Sequence, residues 1–239
     1  MLDKKTLSKI KKLALKIDWD DAFSGKSKGN RHLFRVVKIA KFLANKTGAD
    51  KLIVEAGALL HDVPLPSGDD YNYKKNKKIV IKLLKQFDLT KSEQEKIAEC
   101  VASHEGTVSP KSLEAKIVHD ADVLEKSGIL GIIRHTWKLT NLGRIKYNNI
   151  NDKVVQEILH HINQRSKKLQ IPQSREINRY LNNIPLSKTQ LKKIIQISSK
   201  LAKKGVITEK IASILSKQLT PYQKRMLNSQ LTLSYLRKF

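Results

Sequence analysis

The sequence of 239 residues contains a single cysteine, Cys100. One thiol cannot form an internal disulfide, which excludes a disulfide-stabilised secreted domain and suits a reducing cytoplasm. Long apolar runs are also missing, because no stretch approaches the roughly 18 consecutive apolar residues that a membrane span requires. We therefore predict a cytoplasmic protein with no membrane partner.

Aromatic residues make up only 5% of the chain, which argues against a dedicated surface for stacking nucleic-acid bases. Acidic residues are scarce as well, with 22 Asp and Glu against 47 Lys and Arg, for a formal net charge of +25. Residues 143–239 hold 20 of the basic residues and only 4 of the acidic ones. A field of this sign attracts anionic partners, such as phosphates or nucleic acid, without distinguishing between them.

Strand-like alternation of apolar and polar residues is absent, whereas almost every segment repeats its apolar residues at helical spacing. Proline, glycine and small polar residues separate these segments and mark their ends. The pattern predicts an all-α protein with a domain at 1–142 and a basic helical C-terminal region at 143–239. The predicted helices lie at about 3–17, 30–47, 51–61, 73–87, 91–104, 111–126, 128–141, 153–169, 174–183, 188–204, 209–218 and 222–236.

Four of the seven histidines fall between residues 32 and 119, in a stretch that also contains aspartates. His32 lies 16 residues before Gly48 and His61 lies 13 residues after it. If the two helices that meet at Gly48 pack antiparallel, both imidazoles lie at the same level to within one helical turn. Asp62 follows His61 directly, and mixed imidazole and carboxylate ligands suit Mn, Fe, Co, Ni, Zn or Mg.

The chain order of these residues resembles that of the HD-domain metal-dependent phosphohydrolases over about residues 25–140. The first two helices of that family are similar to residues 32–63, HLFRVVKIAKFLANKTGADKLIVEAGALLHDV. One of its subgroups has a segment similar to residues 116–137, KIVHDADVLEKSGILGIIRHTW. The resemblance implies an HD-type helical bundle that carries the C-terminal helices as an extension. It also implies one divalent metal ion, held by His32, His61, Asp62 and a further aspartate.

Asp120 and Asp122 are the two candidates for that last ligand. They are separated by about 200° around a helix, so only one of them can face the site. The family places its ligand in an Ala-Asp-x-Leu context, which matches residues 121–124. Asp122 is therefore the predicted ligand, and Asp120 is the second choice.

The resemblance also suggests residues for the chemistry. Asp62 would both bind the ion and orient water, and His104 would bind a second metal or contact a substrate phosphate. Two-metal members carry further histidines before this position, and residues 63–103 contain none, which favours one ion. Asp69 and Asp70 are the only carboxylates available as general acid or base shortly after Asp62. The family more commonly has a glutamate shortly after the His-Asp pair, so these two aspartates depart from its pattern. The sequence Gly68-Asp69-Asp70 is equally typical of a turn.

Six basic residues are candidates for binding substrate phosphate. Three of them follow the loop after Asp62, two lie in the segment that is similar to the subgroup, and one lies a helical turn beyond His32. A solvated helix face explains the first group equally well. The six are Lys74, Lys75, Lys78, Lys116, Arg134 and Arg35.

Together these features predict a phosphohydrolase that uses a metal to cleave a phosphoester of a nucleotide or a related small anionic substrate. Two alternatives stay open on the sequence. One is a nuclease or nucleic-acid-associated protein that uses its basic C-terminal helices. The other is a non-catalytic regulatory module that binds a metal or ligand.

Overall fold

The computed structural model describes residues 1–67 and 71–239 of the chain, and it confirms the all-α prediction. Each predicted helical segment corresponds to one observed α-helix, although the last helices begin up to two residues earlier than predicted. No strand occurs among the described residues. Within the same residues, no helix has the length and apolar character needed to cross a bilayer. The helices are α1 (Lys4–Lys16), α2 (His32–Thr47), α3 (Lys51–Leu60), α4 (Tyr73–Leu84), α5 (Lys91–Ser103), α6 (Leu113–Glu125), α7 (Gly128–Asn141), α8 (Asp152–Ser166), α9 (Pro172–Asn182), α10 (Lys188–Lys203), α11 (Thr208–Ser216) and α12 (Pro221–Thr232).

The turn between α2 and α3 is determined by two residues with clear physical roles. Gly48 follows α2 with φ +74°, a left-handed conformation that favours glycine and ends the helix. Asp50 then caps α3, because its carboxylate accepts hydrogen bonds from the backbone N–H groups of Leu52 and Ile53. The short connection makes α2 and α3 neighbours.

Short non-α turns that the apolar pattern did not predict lie beside some of the helices. A π-helical turn (Ile17–Asp21) and a 3-10 turn (Ala22–Gly25) follow α1. A second 3-10 turn (Leu65–Ser67) comes shortly after Asp62, where Pro64 and Pro66 prevent α3 from continuing. The His61-Asp62 pair therefore lies directly after the end of α3.

The chain divides into two compact units, and the division falls within α6, between Asp122 and Val123. The first unit contains Met1–Lys28, His32–Asp122 and Leu169–Ser174, and the second contains the remaining residues. Helix α7 belongs to the second unit, because it packs against α8, α10, α11 and α12. The sequence-based boundary between residues 142 and 143 assigned α7 to the N-terminal domain, and that division into domains stays a prediction.

The core of the first unit is built around α3, which packs against α1, α2 and α5. Seven of its ten residues are buried, including Ile53, Leu59 and Leu60. A helix that is apolar around most of its circumference has to lie inside a bundle. The end of α3, where His61 and Asp62 lie, is thereby held among the neighbouring helices.

Candidate metal centre

His32 and His61 meet at the ends of neighbouring helices. His32 is the first residue of α2, and His61 directly follows the last residue of α3. Their Nε2 atoms lie 3.1 Å apart, and both side chains are buried. The two imidazoles therefore lie at one level, as the spacing around Gly48 predicted.

Two carboxylates face these imidazoles. Asp62 Oδ2 lies 3.3 Å from the Nε2 atoms of both His32 and His61. Asp122 Oδ1, from α6, lies 3.4 Å from His32 Nε2 and 3.7 Å from His61 Nε2. The structure thus brings together the four side chains that the sequence named as ligands, and their ligand role stays a prediction.

The separations between these atoms fit a shared cation. Nitrogen and oxygen ligands lie about 2.0–2.2 Å from zinc or magnesium, which places two neighbouring ligands of one ion roughly 2.8–3.6 Å apart. The distances of 3.1, 3.3 and 3.4 Å fall in that interval, and the distance of 3.7 Å lies just beyond it. Two imidazole and two carboxylate donors are a set that divalent ions accept. The side chains present therefore fit a divalent metal ion.

The ring of His61 is oriented by its own helix. Its Nδ1 lies 2.8 Å from the carbonyl oxygen of Ala58, and because a carbonyl only accepts, Nδ1 carries the proton. In the neutral ring, which is the form that binds a metal, the lone pair of Nε2 consequently faces the carboxylates. Burial alone would lower the pKa of His61, but the carboxylates of Asp62 and Asp122 outweigh burial and raise the pKa. The site favours a positive charge at this position, which a metal ion would supply.

Asp120 has a structural partner outside this cluster. Its buried carboxylate accepts hydrogen bonds from the backbone N–H groups of Gln170, at 2.9 and 3.1 Å, and of Ile171, at 2.8 Å. All three residues belong to the first unit. The geometry therefore favours Asp122 over Asp120 as a ligand, in agreement with the separation of the two residues around the helix.

A second group of donors lies on the other side of Asp62 and includes His104. His104 Nε2 is 3.7 Å from Asp62 Oδ1 and 3.6 Å from Glu105 Oε1. The ligand atoms of these three residues all lie within 4.8 Å of one another. Asp62 therefore faces His32 and His61 with one carboxylate oxygen and His104 with the other.

His104 is oriented in the same way as His61. Its Nδ1 donates a hydrogen bond to the carbonyl oxygen of Val101 at 2.7 Å, so its Nε2 faces the two carboxylates. The backbone carbonyl of His104 accepts a hydrogen bond from Nδ1 of buried His119, also at 2.7 Å. His119 thus helps to hold the end of α5 in place.

Glu105 was not among the residues named from the sequence. Its side chain is only 1% exposed, which is unusual for a carboxylate. The available signal was the dipeptide His104-Glu105, which repeats the imidazole-carboxylate order of His61-Asp62 at the end of another helix. A search for that order at helix ends would have found Glu105.

The six predicted phosphate-binding residues are found in different surroundings. Arg35 is buried in the first unit, and Lys116 is half-buried there on α6. Lys74, Lys75 and Lys78 are exposed on the first two turns of α4. Arg134 lies in the second unit, where its Nε is 3.6 Å from Oε2 of buried Glu125. Their roles in binding substrate stay predictions. The proposed acid/base residues Asp69 and Asp70 lie outside the described residues.

Comparison with known protein families gives a match over a segment that contains all four predicted ligands. Residues 30–127 match the family described as the HD domain. This segment is therefore similar to an HD domain. The resemblance seen in the sequence is thereby confirmed, and proteins of this family are generally metal-dependent hydrolases.

Solved structures with the same fold come from several bacteria. A protein from Lactobacillus plantarum is 22% identical, with a TM-score of 0.58 over 76% of this chain and 92% of that chain. YpgQ from Bacillus subtilis is also 22% identical, with a TM-score of 0.57 over 76% of this chain and 90% of that chain. YpgQ has also been solved in complex with ADP, at 19% identity and a TM-score of 0.52 over 74% of this chain and 90% of that chain. At these identities the similarity concerns the fold.

Proposed function

We propose that this HD domain is a phosphohydrolase that uses a divalent metal ion to cleave a phosphoester of a nucleotide or a related small anionic substrate. The observation that supports the proposal is the buried set of His32, His61, Asp62 and Asp122, whose donor atoms are separated by distances that fit one ion. Burying such carboxylates is costly unless a cation or hydrogen bonds compensate them. A purely structural role gives no reason to place two carboxylates against two imidazoles.

The residues of this set would have separate tasks. His32, His61 and Asp122 would hold the ion from three helices. A divalent ion bound there supplies Lewis-acid activation of water and neutralises charge at a phosphoryl group. Asp62, which is 14% exposed at its side chain and follows the end of α3, would bind the ion and orient the attacking water with its remaining lone pairs.

Two observations favour a nucleotide among small phosphoesters. YpgQ, which shares this fold, was solved with ADP bound. A groove of about 460 Å³ is lined by Tyr71, Tyr73, Lys74 and Thr107, with Asn72 and Val108. Thr107 lies two residues after Glu105, so its Cα is within about 8 Å of the Cα of Glu105. We propose that the nucleoside occupies this groove, while the exposed lysines at the start of α4 bind phosphates.

The test is phosphate release by the purified full chain after metal removal and reloading with Mn, Co, Ni, Zn or Mg. The substrates are nucleoside mono-, di- and triphosphates, simple sugar phosphates, and single- and double-stranded DNA and RNA. We expect turnover of nucleotides that requires added metal and is abolished in His61→Ala and Asp122→Asn. The matched control is His160→Ala, which removes an exposed histidine in the second unit.

Three results would contradict the proposal. Normal turnover by His61→Ala would separate the activity from the metal cluster. Cleavage of nucleic acids alone, with binding that weakens steeply as salt rises, would favour a nuclease. A protein with bound metal that hydrolyses none of these substrates would favour a regulatory module.

A further inference from the structure

An apolar cavity in the second unit adjoins a basic groove, and both are formed by residues of that unit alone. We infer that they bind one ligand, a free medium-chain alkyl anion such as a carboxylate with about six to eight carbons. The alkyl chain occupies the cavity, and the head group lies against Lys167 and Arg179. The inference is independent of the proposed phosphohydrolase activity, because the four predicted metal ligands belong to the first unit.

The cavity is small and apolar. Its volume is about 170 Å³, and its walls are mostly isoleucine and leucine side chains of α7, α8, α9 and α10. Ile129 and Leu181 are completely buried, whereas Leu159 and Leu191 are half-buried and leave apolar surface in contact with water. Covering such surface is favourable, and a cavity of about 150 Å³ with similar walls holds benzene. The cavity therefore suits a short apolar group and is too small for the chains of a membrane lipid.

The adjoining groove is larger and has a different chemistry. Its volume is about 630 Å³, and it contains the exposed side chains of Lys167 and Arg179 together with several amide side chains. Within the part of the chain that the structure describes, no carboxylate lines this groove. Asn163 and Asn182 line both the groove and the cavity, so the two spaces are neighbours. An anionic head group in the groove consequently meets two cations and no acid.

The order of residues along α8 matches a ligand with one apolar end and one charged end. Leu159 lines the cavity, Asn163 lines both spaces, and Lys167, directly after the helix, lines the groove. These positions are four residues apart, which places them on one face of the helix. The eight residues from the first to the last span about 12 Å, which is the length scale of a medium-chain alkyl anion.

Hydrogen bonds of α9 hold the boundary between the two spaces in place. The side chain of Asn182 accepts a hydrogen bond from the backbone N–H of Gly128 at 2.8 Å and donates one to Asn178 at 2.8 Å. The hydroxyl groups of Ser127 and Ser166 lie 2.9 and 3.2 Å from the same oxygen of Asn178. These contacts connect α9 to the start of α7 and the end of α8. A boundary that is fixed before the ligand binds reduces the entropy lost on binding.

The test is isothermal titration calorimetry of the full chain with sodium octanoate below its micellar concentration. We expect one site per chain. In a series of carboxylates from butanoate upward, Kd should fall about fourfold for each added methylene, because each one buries a similar apolar area. The fall should stop at about eight carbons, when the cavity is full. Octanol, which has the chain without the charge, should bind about tenfold more weakly than octanoate.

Two variants separate the alkyl chain from the head group. Leu159→Gln places an amide in the cavity and should raise Kd for octanoate about tenfold. Lys167→Gln/Arg179→Gln removes both cations and should raise Kd for octanoate about tenfold without changing Kd for octanol. Lys200→Gln/Lys203→Gln removes two other exposed lysines of the second unit and should bind octanoate as the wild type does. Circular dichroism establishes that each variant is folded, and the carboxylate series tests the cavity without any substitution.

A further variant keeps this inference separate from the proposed function. His61→Ala, which should abolish nucleotide turnover, should bind octanoate with unchanged Kd. Loss of octanoate binding in His61→Ala, or displacement of octanoate by ADP, would assign the ligand to the proposed nucleotide site and overturn the inference.

Other results would overturn the inference in different ways. No binding of octanoate at millimolar concentration would remove the site. A Kd that continues to fall well beyond about eight carbons, or that is unchanged in Leu159→Gln, would indicate adsorption to the surface. Binding to phosphatidylglycerol vesicles without binding of octanoate would make a membrane the partner. A dimer of the wild type that dissociates in Leu159→Gln would make a second copy of the chain the occupant of the cavity.

Discussion

Gly57 of α3 lies directly against Cys100 of α5, so that a Cβ atom at position 57 would be 2.6 Å from the Cβ of Cys100. Real Cβ atoms do not approach that closely, and neither atom is the end of a flexible side chain. Because glycine has no side chain, Gly57 allows α3 and α5 to pack closely together. His61 and His104 directly follow those two helices, which makes Gly57 a determinant of the distance between the two histidines.

Gly57→Ala should weaken both the fold and the metal centre. Overpacking of a core costs about 1–3 kcal/mol, and the better helix propensity of alanine recovers only about 0.5–1 kcal/mol. We expect a lower free energy of unfolding in urea and weaker Mn²⁺ binding. Gly48→Ala is the control, because it strains a residue at φ +74° that has nothing within 4 Å of its added Cβ. Gly48→Ala should lower stability without weakening metal binding, and equal Mn²⁺ affinity in all three proteins would contradict this role of Gly57.

Asp120 and Asp122 should respond differently to substitution by asparagine. Asp120→Asn keeps one acceptor for the N–H groups of Gln170 and Ile171 but turns a donor toward them, which costs roughly 1–3 kcal/mol of stability. Asp122→Asn removes a ligand, so the affinity for Mn²⁺ should fall by more than about 100-fold, the upper range for losing an outer partner of a ligand. Chemical unfolding and Mn²⁺ titration measure the two effects. A loss of metal affinity in Asp120→Asn alone would reverse the assignment.

The sequence allowed prediction of the helices and of the first cluster, because both depend on regular spacing. Apolar periodicity located α2 and α3, and counting residues from Gly48 put His32 and His61 at one level. Glu105 was missed because its burial results from tertiary packing around the end of α5, which periodicity does not describe. The partner of Asp120 was missed for a similar reason, since Gln170 lies 50 residues away in the chain.

His135 should make the protein less stable in mild acid. Burial, with nearby His161 and Lys138, lowers the pKa of His135 to about 2. Between that value and the ordinary histidine pKa of about 6.5, the unfolded chain takes up a proton that the folded chain does not. The free energy of unfolding should therefore fall as pH decreases from about 7. His135→Phe should reduce this dependence of the melting temperature, whereas the control His160→Ala should retain it, and identical pH profiles for His135→Phe and wild type would refute the effect.

Tyr71 should contribute to the binding of the nucleoside. It is 46% exposed in the groove beside α4, and stacking of a base on an aromatic ring is worth about 1–3 kcal/mol. Tyr71→Ala should raise KM for a nucleotide by roughly tenfold or more, with little change in KM for ribose phosphate, which has no base. Tyr222→Ala changes a tyrosine of similar exposure, 41%, in the second unit and serves as the control. An equal rise in KM for both substrates would place Tyr71 outside the base-binding surface.

The lysines at the start of α4 should bind substrate phosphates through exposed, salt-sensitive contacts. The triple variant Lys74→Ala/Lys75→Ala/Lys78→Ala removes three such charges, each worth about 0.5–1 kcal/mol, and should raise KM by about tenfold. The rise of KM with ionic strength should also become shallower. Steady-state kinetics at several salt concentrations measure both effects.

The matched variant for this charge change lies further along the chain. Lys82→Ala/Lys85→Ala/Lys91→Ala removes three other exposed lysines and lowers the net charge equally. If both triple variants raise KM to the same extent, general attraction by the basic chain is responsible, and the specific role of the first three lysines is excluded.

The contact between Asp120 and the backbone of Gln170 and Ile171 determines how this protein can be shortened. A fragment that stops after residue 142 would lack the N–H groups that donate hydrogen bonds to the carboxylate of Asp120. The buried carboxylate of Asp120 would then lose its two backbone donors. The fragment would also lack the segment Leu169–Ser174, which belongs to the first unit. Recombinant work on the first unit by itself should therefore extend at least to Ser174.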